Sequence, residues 1–350
     1  MEPENNVEKV LAEAAKGRPI NKGEAEYLLS FHENSLEVAL LRSTANTVSR
    51  RRFNNGGLLL GQIGVDMAPC DGDCAFCFFA RSHTKIKPAT LSIDEVINRC
   101  KQYASGGAQG VFLMTMNTFG FEWFCDLCSI LHESVPPGFE ILANVGDMDL
   151  EQMKELRENG VTGAYHVCRI KEGIDSVHSP RVRKETIRNI IEAGLDWYGM
   201  CEPIGPEHTP HELVEQMWLG VELPCRQHGA MQRFPVPGSP LFKNGLISLQ
   251  RLGQVVAVIA LATQKKKEMT SVAVNVSNVV GLMSGANAFF PEAGEPNAVQ
   301  NTGRVPGQEG FTTALWRQSN EISTADCRRM MQAAGFTHLI NAKGEVKASL

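Results

Sequence analysis

Three cysteines in one short stretch, Cys70-Asp71-Gly72-Asp73-Cys74-Ala75-Phe76-Cys77, have the types and spacing that could do chemistry. Spaced by three residues and then by two, their thiolates can wrap one face of an iron–sulfur cube and hold three of its irons. A ferredoxin or a zinc site wants a fourth ligand, and the next cysteine, Cys100, lies in a predicted helix. Three ligands leave one iron open to a substrate or cofactor. The alternative is a zinc knuckle finished by a distant Cys or His, and with it a non-enzymatic zinc or Fe-S scaffold protein.

The setting of these thiols narrows the chemistry. The chain has 350 residues, 43% hydrophobic and 21% charged, with a net charge of −5. That suits a large α/β domain or two small ones and argues against disorder. It gives no global reason to expect nucleic acid. The one basic cluster, Arg50-Arg51-Arg52, ends a predicted helix, where cations complement the dipole. The first residues lack the basic and apolar regions of a secretory signal. The longest apolar stretch, 255–262, falls far short of the about 20 residues that span a membrane. A cytoplasmic address with no membrane partner is the expectation. In a reducing compartment, ten unevenly spaced cysteines read as metal ligands or catalytic groups before disulfides.

The elements that must position the cysteines follow from periodicity. Residues 7–16, a segment opened by Asn21-x-x-Glu24, and 35–52 read as helices. Beyond Asn54-Asn55-Gly56-Gly57, short apolar runs at 58–65, 110–114, 140–143, 163–169, 197–202, 231–236, 271–276 and 287–290 read as strands. Amphipathic stretches at 92–103, 121–132, 149–159, 184–193, 211–221 and 248–263 alternate with them. This alternation predicts an α/β fold, a (β/α)8 TIM-type barrel with an N-terminal helical extension. The division expected is 1–54 for the extension, 55–310 for the barrel, and 311–350 for a C-terminal helix and tail packing on it. The cysteine loop then follows the first barrel strand, on the face where such barrels keep their active sites.

The cysteine spacing, with aromatic Phe76 immediately before the third thiol, resembles the radical SAM (S-adenosylmethionine) superfamily. The resemblance implies a [4Fe-4S] cluster on Cys70, Cys74 and Cys77, with SAM chelating the open iron. An electron from the cluster cleaves SAM to methionine and a 5′-deoxyadenosyl radical, which takes hydrogen from a substrate. Further segments, from about Gly17 to Asn297, look like the biotin synthase branch, which also holds the [FeFe]-hydrogenase maturase, methylornithine synthase and the tyrosine lyase of thiamine synthesis. The segment from Cys201 to Glu207, including Ile204, resembles the one packing on the SAM adenine. The stretch from Met231 to Leu241 resembles the sixth-strand segment, and that from Met283 to Asn287 the lead into the eighth. Arg183, eleven residues before Gly194, resembles the arginine that pairs with the SAM carboxylate, with Arg181 and Arg188 as competitors. A ribose contact falls on Glu172 or Asp175. Thr115 to Asn117 lies where backbone meets the methionyl amino group.

Departures from the branch bear on the reaction. Biotin synthase holds a second cluster on three cysteines and an arginine, and the corresponding places here fall near Phe112 or Met114, Leu142 or Ala143, Tyr198, and Asn275. None is cysteine or arginine, so the sulfur-donating route to biotin is not expected. Cys125 and Cys128, at helical spacing, read as packing residues ahead of metal ligands; Cys100, Cys225 and Cys327 suggest no role. His166 and Cys168 alternate along the fourth run, which places both on one strand side. If that side faces the lumen, they could donate hydrogen, ligate an auxiliary Fe-S cluster with Cys201 or Cys225, or fix a substrate; packing without chemistry stays open. Glu202, in phase with Tyr198 and Met200, is a candidate charge in the lumen. The expected function is a radical SAM enzyme acting on a small molecule in cofactor or amino-acid biosynthesis, reduced by flavodoxin or ferredoxin. Lipoyl-synthase-like sulfur insertion and a skeleton rearrangement or lyase reaction are its alternatives.

Overall fold

The computed structural model describes residues 6–84, 86–293 and 322–350. Side-chain caps open the leading helices. Asn6 accepts from the Glu8 amide before α1 (Val7–Ala15), Asn21 and Glu24 form a capping box on α2 (Lys22–Leu29), and Ser35 accepts from the Val38 amide before α3 (Leu36–Arg52). Each cap satisfies amides that a first helical turn leaves free. The basic end of α3 does more than complement its dipole: Arg52 donates to the carbonyls of Lys266 and Met269, and the Arg50 guanidinium lies 3.4 Å over the Phe336 ring.

The chain then alternates: β1 (Gly56–Leu59), β2 (Gly61–Met67), β3 (Ala89–Thr90), α4 (Ile93–Ser105), β4 (Gly110–Thr115), α5 (Phe121–Ser134), β5 (Glu140–Asn144), α6 (Leu150–Glu158), β6 (Gly163–Tyr165) and α7 (Pro180–Glu192). It continues through β7 (Asp196–Tyr198), β8 (Cys201–Ile204), α8 (Pro210–Glu222), β9 (Gln227–Gln232), α9 (Leu249–Ala262), β10 (Ser271–Asn275), α10 (Val279–Leu282), β11 (Ala288–Phe289) and β12 (Glu292–Ala293). After residue 321 come a helix at Thr324–Ala333 and an antiparallel pair, β13 (His338–Ile340) and β14 (Val346–Ser349).

The barrel strands run parallel in the order β2-β4-β5-β6-β7-β9-β10-β11-β1, with β8 also on β9. Closure is shared: β11 pairs with β1 at Ala288 and Leu58, and β12 pairs with β2 at Glu292 and Gln62. The eight staves of a (β/α)8 barrel are thus β1/β2, β4, β5, β6, β7/β8, β9, β10 and β11/β12. Outward strand residues such as Ile63, Val111, Ile141 and Trp197 pack under the helices. Helix α9 is buried on nearly all sides because α3 covers its outer face, which is why its sequence is apolar all round. Leu58, Leu60, Phe112, Leu142, Tyr198 and Phe290 fill the barrel's interior.

Several runs differ from expectation, among them the first, which is broken at Leu60 into β1 and β2. The fourth strand stops at Tyr165, so residues 166–169 are loop. The fifth is interrupted at Gly199 and Met200, and the sixth is Gln227–Gln232 rather than 231–236. Pro235 and Pro237 explain the last shift, since proline cannot donate to a ladder. The expected boundary at 310/311 and Asn297 lie outside the described residues.

Candidate active site

A cavity of about 360 Å³ opens at the carboxyl ends of the barrel strands. Ligand pockets run from about 300 to 1,000 Å³. Met67, Thr115, Asn144, Tyr165, Glu202, Gln232 and Asn275 reach it from the ends of seven staves. All three cysteines of the motif, Cys70, Cys74 and Cys77, line it as well.

The cysteine loop is closed by its own backbone. The Cys70 amide donates to the Phe79 carbonyl at 2.7 Å, Arg81 donates back to Cys70 at 3.0 Å, and the Cys77 amide donates to the Cys74 carbonyl at 3.0 Å. Gly72 is required by a close approach: a Cβ there would lie 2.6 Å from His178 Nε2. The Ala75 amide donates to the Asp175 carbonyl at 2.7 Å, which pins the loop to the segment after β6. Burial pushes the Cys74 thiol up to about 12 and raises Cys77 too. Thiols so desolvated favour thiolate only when a cation is bound. Among the described residues, no three His, Cys, Asp or Glu side chains are grouped as a single metal ion would hold them. Soft thiols spread along one cavity wall fit an iron–sulfur cube, whose irons are themselves spread.

Charged groups crowd the side built by β6, α7 and β8. Glu202 accepts from the Tyr165 hydroxyl at 2.6 Å and lies 3.1 Å from Arg169 Nε. Burial opposes the Arg169 charge, but Glu202 and Glu172 outweigh it and hold the guanidinium above its ordinary range. Its carbon centre stands 6.0 Å from the Phe76 ring. Arg183 is buried, with Nη1 at 3.3 Å from Asp147 Oδ1 and 3.3 Å from His166 Nε2. Its Nε has no hydrogen-bond partner among the described residues. Burial and neighbouring Arg169 lower its basicity. Burial also pushes His166 down to about 4, so the ring is neutral near pH 7. Burial opposes ionisation of Asp147, yet its contacts with His166 and Arg183 prevail and hold its carboxyl below the ordinary range.

Of the residues singled out in the sequence, Cys70, Cys74, Cys77, Phe76, Thr115, Asn117, Arg183 and Glu202 share this cavity. Arg181 and Arg188, the competitors of Arg183, are exposed. Four others do not line the cavity. His166 and Cys168 were expected to face the lumen together, but Val167 packs inside the barrel and Tyr165 against that interior, which turns His166 and Cys168 outward. His166 meets Asp147, and Cys168 Sγ lies 3.9 Å from the Pro180 carbonyl at the start of α7. Ile204 packs into the core beneath the helices. Glu172 is one layer behind, accepting from the Arg169 amide at 2.9 Å and from Ser176. Nor do Cys168, Cys201 and Cys225 converge for an auxiliary cluster: Cys201 Sγ turns to the Leu213 carbonyl at 3.8 Å, and Cys225 Sγ to the Gln227 carbonyl at 2.9 Å.

Sequence reasoning missed Arg169, Tyr165, Gln232 and Arg233, all of which line the cavity. Position at the end of a strand-like run was the available signal for Tyr165 and Arg169.

The sequence signature of the radical SAM superfamily matches residues 67–215. Biotin synthase of Maridesulfovibrio salexigens is 28% identical over 221 residues, covering 59% of this chain and 65% of that protein. Biotin synthase of Clostridioides difficile is 26% identical over 204 residues, covering 55% and 62%. The chain thus matches just under two thirds of the length of these two relatives. Among solved structures, HydG, a maturase of the [FeFe]-hydrogenase, superposes with a TM-score of 0.75 at 11% identity, covering 95% of this chain and 76% of that one. Methylornithine synthase (PylB) superposes with a TM-score of 0.68 at 18% identity, covering 92% and 99%. Both likenesses are of fold.

Proposed function

This chain belongs to the radical SAM superfamily, in its biotin synthase-like branch, and from that premise we propose that it abstracts hydrogen from a small molecule held in the barrel cavity. It is an enzyme of the radical SAM class. When bound, a [4Fe-4S] cluster and SAM supply one electron and a 5′-deoxyadenosyl radical.

The residues divide the remaining work. Cys70, Cys74 and Cys77 hold three irons. Arg183, buried on the charged side of the cavity, pairs with the SAM carboxylate; its contacts with Asp147 at 3.3 Å and with Glu172 at 3.8 Å are long and leave hydrogen-bonding capacity for a ligand. Arg169 keeps its charge beside the cluster loop, and Glu202 with Tyr165 fixes its orientation. Thr115 and Asn117 offer polar groups at the end of β4. The apolar side chains of Phe112, Met200 and Phe290 exclude water from the barrel interior, where a radical would otherwise be quenched. The leading helices α1 to α3 act as a brace, α3 lying across α9. A low-potential one-electron donor such as flavodoxin or ferredoxin reduces the cluster, and a reducing cytoplasm suits its sulfur chemistry. Among the described residues, no helix is long and apolar enough to cross a membrane.

The observation that carries this reading is that the three motif thiols and the Arg169, Arg183 and Glu202 charges face one cavity at the strand ends. The test is iron and sulfide content after anaerobic reconstitution, in wild type and in the Cys70/Cys74/Cys77 triple alanine variant. About four irons per chain, lost in the variant, are expected. Dithionite and SAM should then yield 5′-deoxyadenosine from wild type alone. Zinc in place of iron, or a cluster that never cleaves SAM, would overturn it.

A further inference from the structure

A second cavity, of about 390 Å³, lies between the turn joining α2 to α3, the segment after β8 and the start of α9. It shares no lining residue with the first, and its volume falls in the range of small-molecule sites. Hydrogen bonds from α9 hold its frame. Arg251 Nη1 donates to the Leu29 carbonyl at 2.7 Å and to Gln254 Oε1 at 2.7 Å. Gln254 Nε2 donates to the carbonyls of Leu28 at 2.8 Å and Phe31 at 3.1 Å.

Among the described residues, the ionisable groups that line this cavity are Glu33, His208 and Arg251. The Gly205 amide donates to His208 Nδ1 at 2.9 Å and burial lowers the ring's basicity, so His208 is neutral near pH 7 with its proton on Nε2. One anion and one cation remain. Each senses the other's charge, yet neither forms an ion pair with any described residue. The Nε and Nη2 of Arg251, the edge of a guanidinium that takes a carboxylate side-on, have no hydrogen-bond partner among the described residues. Burial lowers the basicity of Arg251, as expected of a cation short of counter-charge. Glu33 Oε1 accepts from Ser248 Oγ at 3.0 Å, which fixes the carboxylate and leaves it further lone pairs for a donor. Leu29, Phe31 and Ile247 supply apolar surface beside the two charges.

Opposite charges that line one cavity without pairing suit a ligand that carries both. A simple anion would meet Glu33 as well as Arg251, and a simple cation the reverse. We infer that this cavity binds an α-amino acid with an apolar side chain. Its carboxylate sits on Arg251, its ammonium on Glu33, and its side chain against Leu29, Phe31 and Ile247. The site stands apart from the proposed radical chemistry but adjoins it: a Cβ on Gly205, which lines the second cavity, would clash with the guanidinium of Arg233, which lines the first.

Isothermal titration of the cluster-loaded enzyme, saturated with SAM so that the first cavity is filled, tests this with three related probes. They are L-norleucine, hexanoate, which lacks its ammonium, and pentylamine, which lacks its carboxylate. Wild type should bind norleucine, and each analogue at least about tenfold more weakly. Glu33→Gln should abolish the preference over hexanoate and keep that over pentylamine. Arg251→Gln should do the reverse, a crossed exchange that a merely loosened cavity would not produce. Glu33 is half-buried on a turn, so Glu33→Gln reads the site even where Arg251→Gln fails to fold. Absence of norleucine binding, either analogue bound as tightly by wild type, or a Glu33→Gln preference unmoved would overturn the inference. Failure of SAM to bind would instead sink the proposed function, and the crossed preferences would still report on this cavity.

Discussion

Asp147 Oδ1 and Arg183 Nη1 stand 3.3 Å apart at the rim of the cavity, one on the loop after β5 and the other on α7. His166 Nε2, 3.0 Å from the same Asp147 oxygen, buttresses the carboxylate from behind. Arg183 is therefore steered by a partner that a competing carboxylate could supplement, and Arg183→Ala should weaken SAM binding about 10–100-fold, the value of a charged hydrogen bond. Asp147→Asn, which leaves the guanidinium in place but less fixed, should cost less, about 3–10-fold. Equilibrium dialysis with cluster-loaded protein measures both. An unchanged dissociation constant in Arg183→Ala would remove this residue from the SAM site.

The outward turn of Cys168 and Cys201 leads to a prediction of the opposite kind. Each sulfur faces a helix carbonyl and lies off the cavity. Cys168→Ala and Cys201→Ala should keep wild-type iron content and SAM cleavage, with stability lower by about 1 kcal/mol for the lost packing. Loss of iron in either variant, with the thermal melt intact, would reinstate these thiols as ligands.

Gly229 faces Ala273 across the β9–β10 pairing, and a Cβ there would stand 2.8 Å from the Ala273 carbonyl carbon and 2.8 Å from its Cβ. Backbone cannot yield as a flexible side chain does. Gly229→Ala should destabilise the barrel by about 1–3 kcal/mol, the usual cost of overpacking. Gly138, whose positive φ of 81° surrounds no nearby atom, separates the two causes: Gly138→Ala should strain the turn without wedging any strand apart. Urea unfolding measures both variants, and equal midpoints for Gly229→Ala and wild type would refute the close approach.

The same pairing geometry explains what the sequence could and could not disclose. The cysteine loop was legible because its spacing is local, and the helices because their caps and 3.6-residue period are local. The phase of β6 was not. Tyr165 pairs with Tyr198 and shares its inward side, which turns His166 and Cys168 out. A two-residue period fixes which residues go together, whereas only register against a neighbouring strand fixes which side is inside. β9 escaped for a different reason. Its inward Gln227 and the nearby Gln232 belong to the cavity, so the strand lacks the hydrophobic pattern by which strands are found. The offset of Arg183 pointed to one helix but not to one arginine, and only burial beside Asp147 separates it from exposed Arg181 and Arg188.

Buried histidines contribute to the response to acid, His228 and His166 foremost. His228 lies under α8, its Nε2 at 3.0 Å from the Met217 carbonyl, and burial pushes it down to about 4; His166 is held at about 4 by the same cause. Their ordinary value is 6.5, so below that pH the unfolded chain takes up protons that the folded chain refuses. For a base whose folded value is depressed, the stability is whole above the unfolded value and declines as pH falls toward the folded one. The window is therefore pH 6.5 down to about 4. Within it each histidine contributes a slope approaching about 1.4 kcal/mol per pH unit. Urea midpoints at several pH values should fall steeply across this range in wild type. His228→Gln, which cannot take up a proton, should start from a lower stability and decline less steeply, by about one proton's share. A slope identical to that of wild type would mean that His228 titrates normally in the folded protein and takes no part in its acid sensitivity.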